Sequence, residues 1–396
     1  MTDLSHRKSK ARLRIVRADG TAASNTKVTV KQTSSEFLFG CGAFDSVAMY
    51  AVPDEALKAK FRARMEKWAT LFNFATLPFY WGTFEPVEGQ PQTELRMQAA
   101  EWLTQRGIKV KGHPLCWHTV CADWLMQYDN ETIFKKQLER IDRDVTAFKG
   151  KIDMWDVINE VVIMPVFDKY DNAVTRICNA KGQVGLVKAV FDEARQMNPD
   201  ATLLINDFNT GKAYEELLDR ILDAGVEPTA IGIQSHQHQG YWGTDKLYDV
   251  LERFGRFGIP IHFTENTLIS GDLMPAHIVD LNDWQVDTWP STPEGEERQA
   301  REIAEMYSIL FADKNVQAIT TWDFTDDCWL NAPAGVVRSD NTPKPSFDKL
   351  MSLIHGEWET NLELMTDADG YIEFEGFKGD YKITSSDGIE MTTTLK

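Results

Sequence analysis

Two glutamates combine the residue type and the sequence setting that acid–base chemistry needs. Glu160 closes the run WDVINE and Glu265 lies in HFTEN, and each follows a short apolar stretch typical of a buried β-strand. One carboxylic acid can protonate a leaving oxygen while a second carboxylate attacks an anomeric carbon. We therefore predict Glu160 as acid/base and Glu265 as nucleophile of glycosidic-bond cleavage; the alternative for each is a salt-bridged structural glutamate.

Polar residues near both glutamates strengthen this prediction. Asn159 directly precedes Glu160, and its amide could bind a sugar 2-OH. His236 ends the run GIQSH and could hold Glu265 ionised and oriented, although a buried core histidine is the alternative. His113, in GHPLCWH, is predicted to contact the sugar on the non-reducing (glycone) side of the bond.

These residues stand at the ends of predicted strands that alternate with predicted helices. Between the predicted strands, apolar residues recur at helical spacing and predict helices at 55–69, 94–106, 131–148, 186–197, 213–224, 246–257 and 296–312. The predicted strands cover residues 37–43, 72–79, 109–116, 152–160, 201–209, 230–236, 260–267 and 316–324. Eight strand–helix units predict an α/β fold, a (β/α)8 TIM barrel over residues 37–355 whose chemistry collects at the carboxyl ends of its strands.

The two ends of the sequence differ from the middle. Short strand-like runs at 12–17 and 27–32 and three or four more within 361–396 are separated by Asp19-Gly20, Asp369-Gly370, Gly379-Asp380 and Asp387-Gly388, which are hairpin signals. Neither end alone has enough strands to bury a core. We predict that residues 8–36 and 361–396 form one small β-sandwich; two separate flaps, or a carbohydrate-binding module, are the alternatives.

Composition excludes several classes of partner. The net charge of −18 argues against nucleic acid and anionic membranes, and no apolar run approaches the roughly 20 residues of a membrane helix. The five cysteines and the run His236-Gln237-His238 lack metal-ligand spacing, so we expect no metal or other cofactor. The N-terminal MTDLSHRKSKAR lacks a signal-peptide core, so either the protein is cytoplasmic or an export signal has been removed. We expect a monomer.

Several motifs together resemble one known family. WDVINE, GHPLCWH, INDFN, GIQSH, HFTEN and TTWDFTDDCWL, in this order across residues 37–355, are similar to glycoside hydrolase family 10, the endo-β-1,4-xylanase family. The resemblance implies retention of anomeric configuration and a xylan or xylo-oligosaccharide substrate. It also implies substrate-binding or supporting roles for Asn159, His236, Gln234, His113, Trp117, Asn206, Trp322 and Trp329.

One segment departs from the family pattern. Family members usually carry a Glu-Asn pair and a Lys after the second barrel strand, where this sequence has TLPFYWGTFEP at residues 76–86. Tyr80 and Trp81 could stack there on a sugar or on the leaving group, or could pack beneath the loop. The leading hypothesis is therefore an endo-β-1,4-xylanase; the alternatives are a β-glycosidase of altered specificity and a carbohydrate-binding barrel without activity.

Overall fold

The structure, a computed structural model, describes residues 3–396, and a closed barrel of eight parallel strands lies at its centre. The barrel order is β10-β3-β4-β5-β6-β7-β8-β9, in which each strand from β4 to β9 pairs with its predecessor and successor in the chain. The predicted (β/α)8 fold is thus confirmed. In chain order the strands are β1 (Lys8–Arg14), β2 (Lys27–Gln32), β3 (Leu38–Gly42), β4 (Phe74–Pro78), β5 (Lys109–His113), β6 (Met154–Asn159), β7 (Thr202–Asp207), β8 (Ala230–Gln237), β9 (Ile261–Leu268), β10 (Val316–Thr321), β11 (Asn361–Met365), β12 (Tyr371–Phe377), β13 (Gly379–Ser385) and β14 (Glu390–Leu395).

Helices connect the barrel strands and cover the outside of the barrel. All seven predicted helices are present, and α1, α3, α6 and α11 are additional. Side-chain caps define several starts: Asp129, for example, accepts the amide N–H of Thr132 at 2.8 Å at the start of α5. The helices are α1 (Phe44–Ala51), α2 (Glu55–Trp68), α3 (Trp81–Phe84), α4 (Thr93–Thr104), α5 (Asn130–Phe148), α6 (Ala173–Lys181), α7 (Gln183–Met197), α8 (Lys212–Asp223), α9 (Gly243–Gly255), α10 (Pro293–Ala312) and α11 (Pro345–Ser352).

Two barrel strands contain a β-bulge close to a polar strand end. Val157 is the extra residue of β6 and Thr264 the extra residue of β9, as shown by the shifted register of each strand against its neighbour. A bulge interrupts the alternation of side chains between the two faces of a strand. As a result Thr264 and Glu265, although adjacent in sequence, both bond to the same asparagine of β7 inside the barrel.

The two ends of the chain pair with each other in two antiparallel sheets. β1 pairs with β12, and β11-β2-β13-β14 form a four-stranded sheet. Side chains of both sheets share a hydrophobic cluster that includes Val30, Ile372 and Tyr381. The division of the chain into residues 37–355 and a terminal unit of 8–36 plus 361–396 stays a prediction.

The turns of these sheets differ from the hairpin prediction. Only Asp387-Gly388 connects two strands that pair with each other, β13 and β14. Asp369-Gly370 and Gly379-Asp380 instead join strands of different sheets. Asp19-Gly20 closes a short antiparallel bridge between Val16 and Ala22, although β1 and β2 do not pair with each other. An Asp-Gly turn reverses the chain, but the hydrophobic face of the next strand decides which sheet it joins.

The terminal sheets are joined to the barrel by packing and by hydrogen bonds. The Arg7 guanidinium donates to the backbone oxygens of Asp313 and Val316 at 2.6 Å each. Trp358, which precedes β11, stacks on Phe311 of α10 at 4.4 Å between ring centroids. Across residues 3–396, no helix is both long enough and apolar enough to cross a membrane.

Candidate active site

Glu160 is the first residue after β6, and its backbone is left-handed with φ of 58°. Its amide N–H donates to the backbone oxygen of Asn206 at 2.8 Å, which fixes the turn at the barrel mouth. The half-buried carboxyl group accepts hydrogen bonds from the Trp117 indole at 2.9 Å and the Gln234 amide at 3.2 Å. Burial, and then the negative charge of Glu265, raise the pKa of Glu160 to about 8. Such a carboxyl group is protonated at neutral pH and can donate a proton.

Glu265 on β9 has the opposite character. Its Oε1 accepts a hydrogen bond from Asn206 Nδ2 at 2.7 Å and lies 3.9 Å from His113 Nε2, and its Oε2 lies 3.1 Å from His236 Nε2. Burial alone would raise the pKa of Glu265, but His113 and the hydrogen bond from His236 outweigh it, and the net pKa is lowered. Glu265 is therefore ionised at neutral pH, as a nucleophile must be.

Three amide side chains connect the two carboxyl groups. Asn206 Nδ2 and Gln234 Nε2 donate to the Asn159 oxygen at 2.9 and 3.1 Å, and Asn159 Nδ2 lies 3.4 Å from Glu160 Oε1. Gly232 leaves the space that this network needs, because a Cβ at this position would lie 2.4 Å from the Asn206 oxygen. Because the oxygens of Asn159 and Asn206 already accept hydrogen bonds, these amides present N–H groups to the carboxyl groups and to a bound ligand.

A buried charged pair beneath the site was missed in the sequence analysis. Lys111 Nζ lies 2.6 Å and His113 Nδ1 2.7 Å from the same carboxylate oxygen of Asp156, and all three side chains are buried. Burial would raise the pKa of Asp156, but Lys111 and His113 lower it. The sequence signal was the position of Lys111 two residues before His113, on the same face of β5.

Aromatic rings line the space above the carboxyl groups. Tyr80 lies edge-on to His113 at 5.7 Å, and Trp322 lies edge-on to the same ring at 5.3 Å, between centroids. Trp329 lies 4.6 Å from the His236 ring. Such rings are suitable surfaces for the C–H faces of a sugar.

Trp81 is not part of this wall. It is 4% exposed, its indole N–H donates to Glu85 at 3.0 Å, and the Arg140 guanidinium lies 4.8 Å from its ring. Of the two predicted roles for Trp81, the structure therefore supports packing beneath the loop. The side chains of Tyr80 and Trp81 point in different directions because α3 begins at Trp81.

The other predicted residues lie together at the carboxyl ends of the barrel strands. No group of three or more His, Cys, Asp or Glu side chains within residues 3–396 is arranged to hold a metal ion. The residues brought together are Glu160, Glu265, Asn159, His236, Gln234, His113, Trp117, Asn206, Trp322, Trp329 and Tyr80.

One protonated and one ionised carboxyl group at the mouth of a TIM barrel, beside aromatic rings, are the arrangement that a glycoside hydrolase needs. Comparison with known proteins gives the family. The model of glycosyl hydrolase family 10 matches residues 53–353, and the chain belongs to this family.

Individual relatives are distant. The chain is 30% identical to a β-1,4-xylanase of Dictyoglomus thermophilum over 59% of this chain and 65% of the relative. It is 25% identical to the anti-sigma-I factor RsgI6 of Acetivibrio thermocellus over 96% of this chain and 45% of the relative. The chain thus spans less than two thirds of each of these relatives. The crystal structure of xylanase 10B from Thermotoga maritima shares the fold, with a TM-score of 0.65 at 22% identity over 81% of this chain and 96% of that one.

Proposed function

We propose that this chain is an endo-β-1,4-xylanase that cleaves xylan or xylo-oligosaccharides by double displacement, with Glu160 as acid/base and Glu265 as nucleophile. The observation that carries the proposal is the opposite pKa shift of the two carboxyl groups within one hydrogen-bonded network. The family membership and the xylanase relatives support the substrate.

In the first step the Glu265 carboxylate attacks the anomeric carbon while Glu160 gives its proton to the glycosidic oxygen. The glycosidic C–O bond breaks, the leaving group departs, and an ester joins the sugar to Glu265. The hydrogen bonds from Asn206 and His236 hold the attacking carboxylate in place. Asn159 Nδ2, beside Glu160, is available for a sugar hydroxyl.

In the second step Glu160 changes role. The ester formed by Glu265 carries no charge, which removes one of the two main causes of the high pKa of Glu160. The ionised Glu160 then takes a proton from water, the water oxygen attacks the anomeric carbon, and the Glu265 carboxylate is released.

The roles can be tested with Glu160→Ala, Glu265→Ala and sodium azide. With an aryl β-xyloside, azide should enter the site vacated by each carboxyl group. Glu160→Ala should give the β-xylosyl azide and Glu265→Ala the α-anomer, because azide replaces water in the first variant and the nucleophile in the second. Swapped anomers would reverse the assignment, and absence of any azide product would refute both roles.

Leaving-group dependence separates the acid from the nucleophile. Glu160→Ala should lower kcat by about 10²–10⁴-fold on xylo-oligosaccharides, whose leaving group needs a proton, but far less on a dinitrophenyl xyloside. Glu265→Ala should abolish turnover of both. Glu297→Ala, which removes an exposed carboxyl group on α10, is the matched control and should behave as the wild type.

A β-glycosidase of altered specificity is a second candidate, favoured by the edge-on packing of Tyr80 against His113. This ring occupies the segment where an acidic, an amide and a basic side chain were expected by resemblance. Rates on xylan, xylo-oligosaccharides and aryl β-xyloside, β-glucoside and β-cellobioside distinguish the candidates. No turnover of any xylan or xylo-oligosaccharide would refute the xylanase proposal.

A binding function without turnover is a third candidate. It is favoured by the similarity to an anti-sigma-I factor over 96% of the chain. Calorimetric titration of Glu265→Ala with xylohexaose measures binding without hydrolysis. Binding by this variant together with an inactive wild-type protein would support the third candidate over the first two.

A further inference from the structure

Asp207 ends strand β7 and forms hydrogen bonds with the loop that follows β6. Its Oδ2 accepts the amide N–H of Val162 at 3.0 Å, and its Oδ1 accepts the amide N–H of Asn209 at 2.9 Å. A backbone N–H can only donate, so the direction of both hydrogen bonds is fixed. The Asp207 side chain is fully buried. One carboxyl group thus joins the loop after β6 to the loop after β7.

Asp207 itself is not part of the substrate site. Neighbouring residues of a regular strand point to opposite faces of the sheet. Asn206, directly before Asp207, bonds to Glu265 inside the barrel. Asp207 therefore points away from the barrel interior, and any effect on the reaction must act through the residues that it holds.

The turn that Asp207 holds carries Glu160 in a left-handed conformation. The φ of Glu160 is 58°, a value that residues with a side chain rarely adopt and that persists only where the surroundings enforce it. At the start of the turn, the Glu160 N–H donates to the Asn206 oxygen at 2.8 Å. At its end, the Val162 N–H donates to the Asp207 carboxyl group. The last two residues of β7 thus hold both ends of the turn.

The conformation of this turn determines where the Glu160 carboxyl group points. The carboxyl group accepts the Trp117 indole N–H at 2.9 Å and the Gln234 amide N–H at 3.2 Å. If residues 160–162 relaxed to a more common backbone conformation, the Cα–Cβ bond of Glu160 would turn and the carboxyl group would leave these donors.

Stability alone does not explain a carboxyl group at position 207. Burial raises the pKa of Asp207 to about 7, although the N–H groups of Val162 and Asn209 lower it. The folded protein therefore retains a proton that the unfolded chain releases near the ordinary pKa of 3.8, so Asp207 lowers the free energy of unfolding at neutral pH. Residues that lower stability in this way are typical of functional positions.

We propose that Asp207 is a positioning residue that holds residues 160–162 and so directs the Glu160 carboxyl group toward the glycosidic oxygen. The proposal rests on the proposed role of Glu160 as acid/base. Without Asp207 the proton donor is still present but is displaced, and a displacement of about 1 Å can lower a rate about 10²-fold.

The kinetic test compares Asp207→Ala and Asp207→Asn with the wild type on two substrates. The value of kcat/KM reports the first step, in which xylo-oligosaccharides need the proton of Glu160 and a dinitrophenyl xyloside does not. Asp207→Ala should lower kcat/KM by about 10–10²-fold on xylo-oligosaccharides and by less than about threefold on the dinitrophenyl xyloside. Asp207→Asn keeps one acceptor oxygen and should lie between Asp207→Ala and the wild type.

Asn73→Ala is the matched control, because Asn73 makes the same kind of side-chain-to-backbone bonds at the opposite end of the barrel. Its Oδ1 accepts the amide N–H of Phe39 at 2.8 Å, and its Nδ2 donates to the Phe37 oxygen at 2.9 Å. Loss of these bonds should change kcat/KM on the two substrates by the same factor. An equal loss on both substrates in the Asp207 variants would make Asp207 merely structural and would overturn the proposal.

Hydrogen–deuterium exchange tests the turn without turnover. The Val162 amide should be protected in the wild type and in Asn73→Ala, and should exchange about tenfold faster in Asp207→Ala because it loses its acceptor. Unchanged exchange in Asp207→Ala would overturn the proposal. An inactive wild-type protein with a protected Val162 amide would instead refute the proposed function and leave the hold of Asp207 on the turn intact. If Asp207→Ala does not fold, the two-substrate comparison of Asp207→Asn decides.

Discussion

The raised pKa of Glu160 predicts that this residue destabilises the folded protein, to an extent that depends on pH. The carboxyl group is half-buried, its pKa is raised from 4.5 to about 8 by burial and by Glu265, and its backbone is in the left-handed region. Glu160→Gln removes the ionisation and keeps the size of the side chain. The variant should therefore gain stability relative to the wild type above about pH 4.5, where the unfolded wild-type chain releases this proton more easily than the folded protein does.

The sign and size follow from proton binding. Between pH 4.5 and pH 8 the folded protein keeps a proton on Glu160 that the unfolded chain has released. The folded state then binds more protons, so the free energy of unfolding of the wild type falls as pH rises. At about 1.4 kcal/mol per pKa unit, the loss reaches about 3 kcal/mol at pH 7 and about 5 kcal/mol above pH 8.

The substituted amide itself has a cost that does not depend on pH. The glutamine amide places an NH₂ donor where one carboxyl oxygen accepted a hydrogen bond. Loss of this hydrogen bond lowers the free energy of unfolding by about 1 kcal/mol. For this reason the quantity to measure is the change with pH of the stability difference between Glu160→Gln and wild type. That difference should be flat below pH 4.5, rise by about 1.4 kcal/mol per unit, and level off above pH 8.

Urea unfolding at pH 4, 5.5, 7 and 8.5 measures this difference. The exposed Glu297→Gln on α10 is the control, and its stability difference should not vary along the series. A Glu160→Gln difference that stays constant with pH would refute the reasoning, because it would mean that the folded protein ionises Glu160 as easily as the unfolded chain does.

Three further predictions concern the pH profile, the two aromatic residues Tyr80 and Trp81, and the donor Asn206. The kcat/KM of an aryl β-xyloside should be bell-shaped in pH, with an acid limb below pH 4.5 and a basic limb near pH 8; a flat profile would contradict a two-carboxyl mechanism. Tyr80→Ala should lower kcat/KM about tenfold, because the substrate loses contact with an aromatic ring. Trp81→Phe should lower the free energy of unfolding by about 1–3 kcal/mol, because Glu85 loses its buried indole donor. The folded Trp81→Phe protein should retain its activity. Equal kinetic effects of the two variants would contradict this assignment. Asn206→Ala removes the 2.7 Å donor to Glu265 and should move the acid limb to higher pH, which a titration of kcat/KM would detect; an unmoved limb would show that this bond does not stabilise the ionised carboxylate.

The barrel and the positions of its polar strand ends could be predicted from the sequence because both depend on local patterns. Short apolar runs predicted the eight strands, and apolar residues at helical spacing between them predicted the helices. Glu160 and Glu265 could then be identified as polar residues at the ends of two strands. Motif resemblance added residues such as Asn206 that no local pattern distinguishes.

The details that were not predicted depend on register and direction. The contact of Lys111 with Asp156 joins two strands and requires their relative alignment, which one-dimensional spacing does not give. Trp81 and Tyr80 are adjacent aromatic residues, and only the start of α3 separates a buried ring from one at the mouth. The hairpin signals identified turns, but at Asp369-Gly370 and Gly379-Asp380 the strands on either side belong to different sheets.

The bulges at Val157 and Thr264 have a consequence for anyone who would redesign or transplant this site. A regular, idealised barrel would direct only one residue of any adjacent pair inward, so it could not present both Thr264 and Glu265 to Asn206. Substitutions alone cannot recreate the arrangement on such a scaffold; one additional residue must be inserted in each of the two strands. Conversely, deleting Thr264 would make β9 regular but would remove the hydroxyl that donates to Asn206, the residue whose amide holds Glu265.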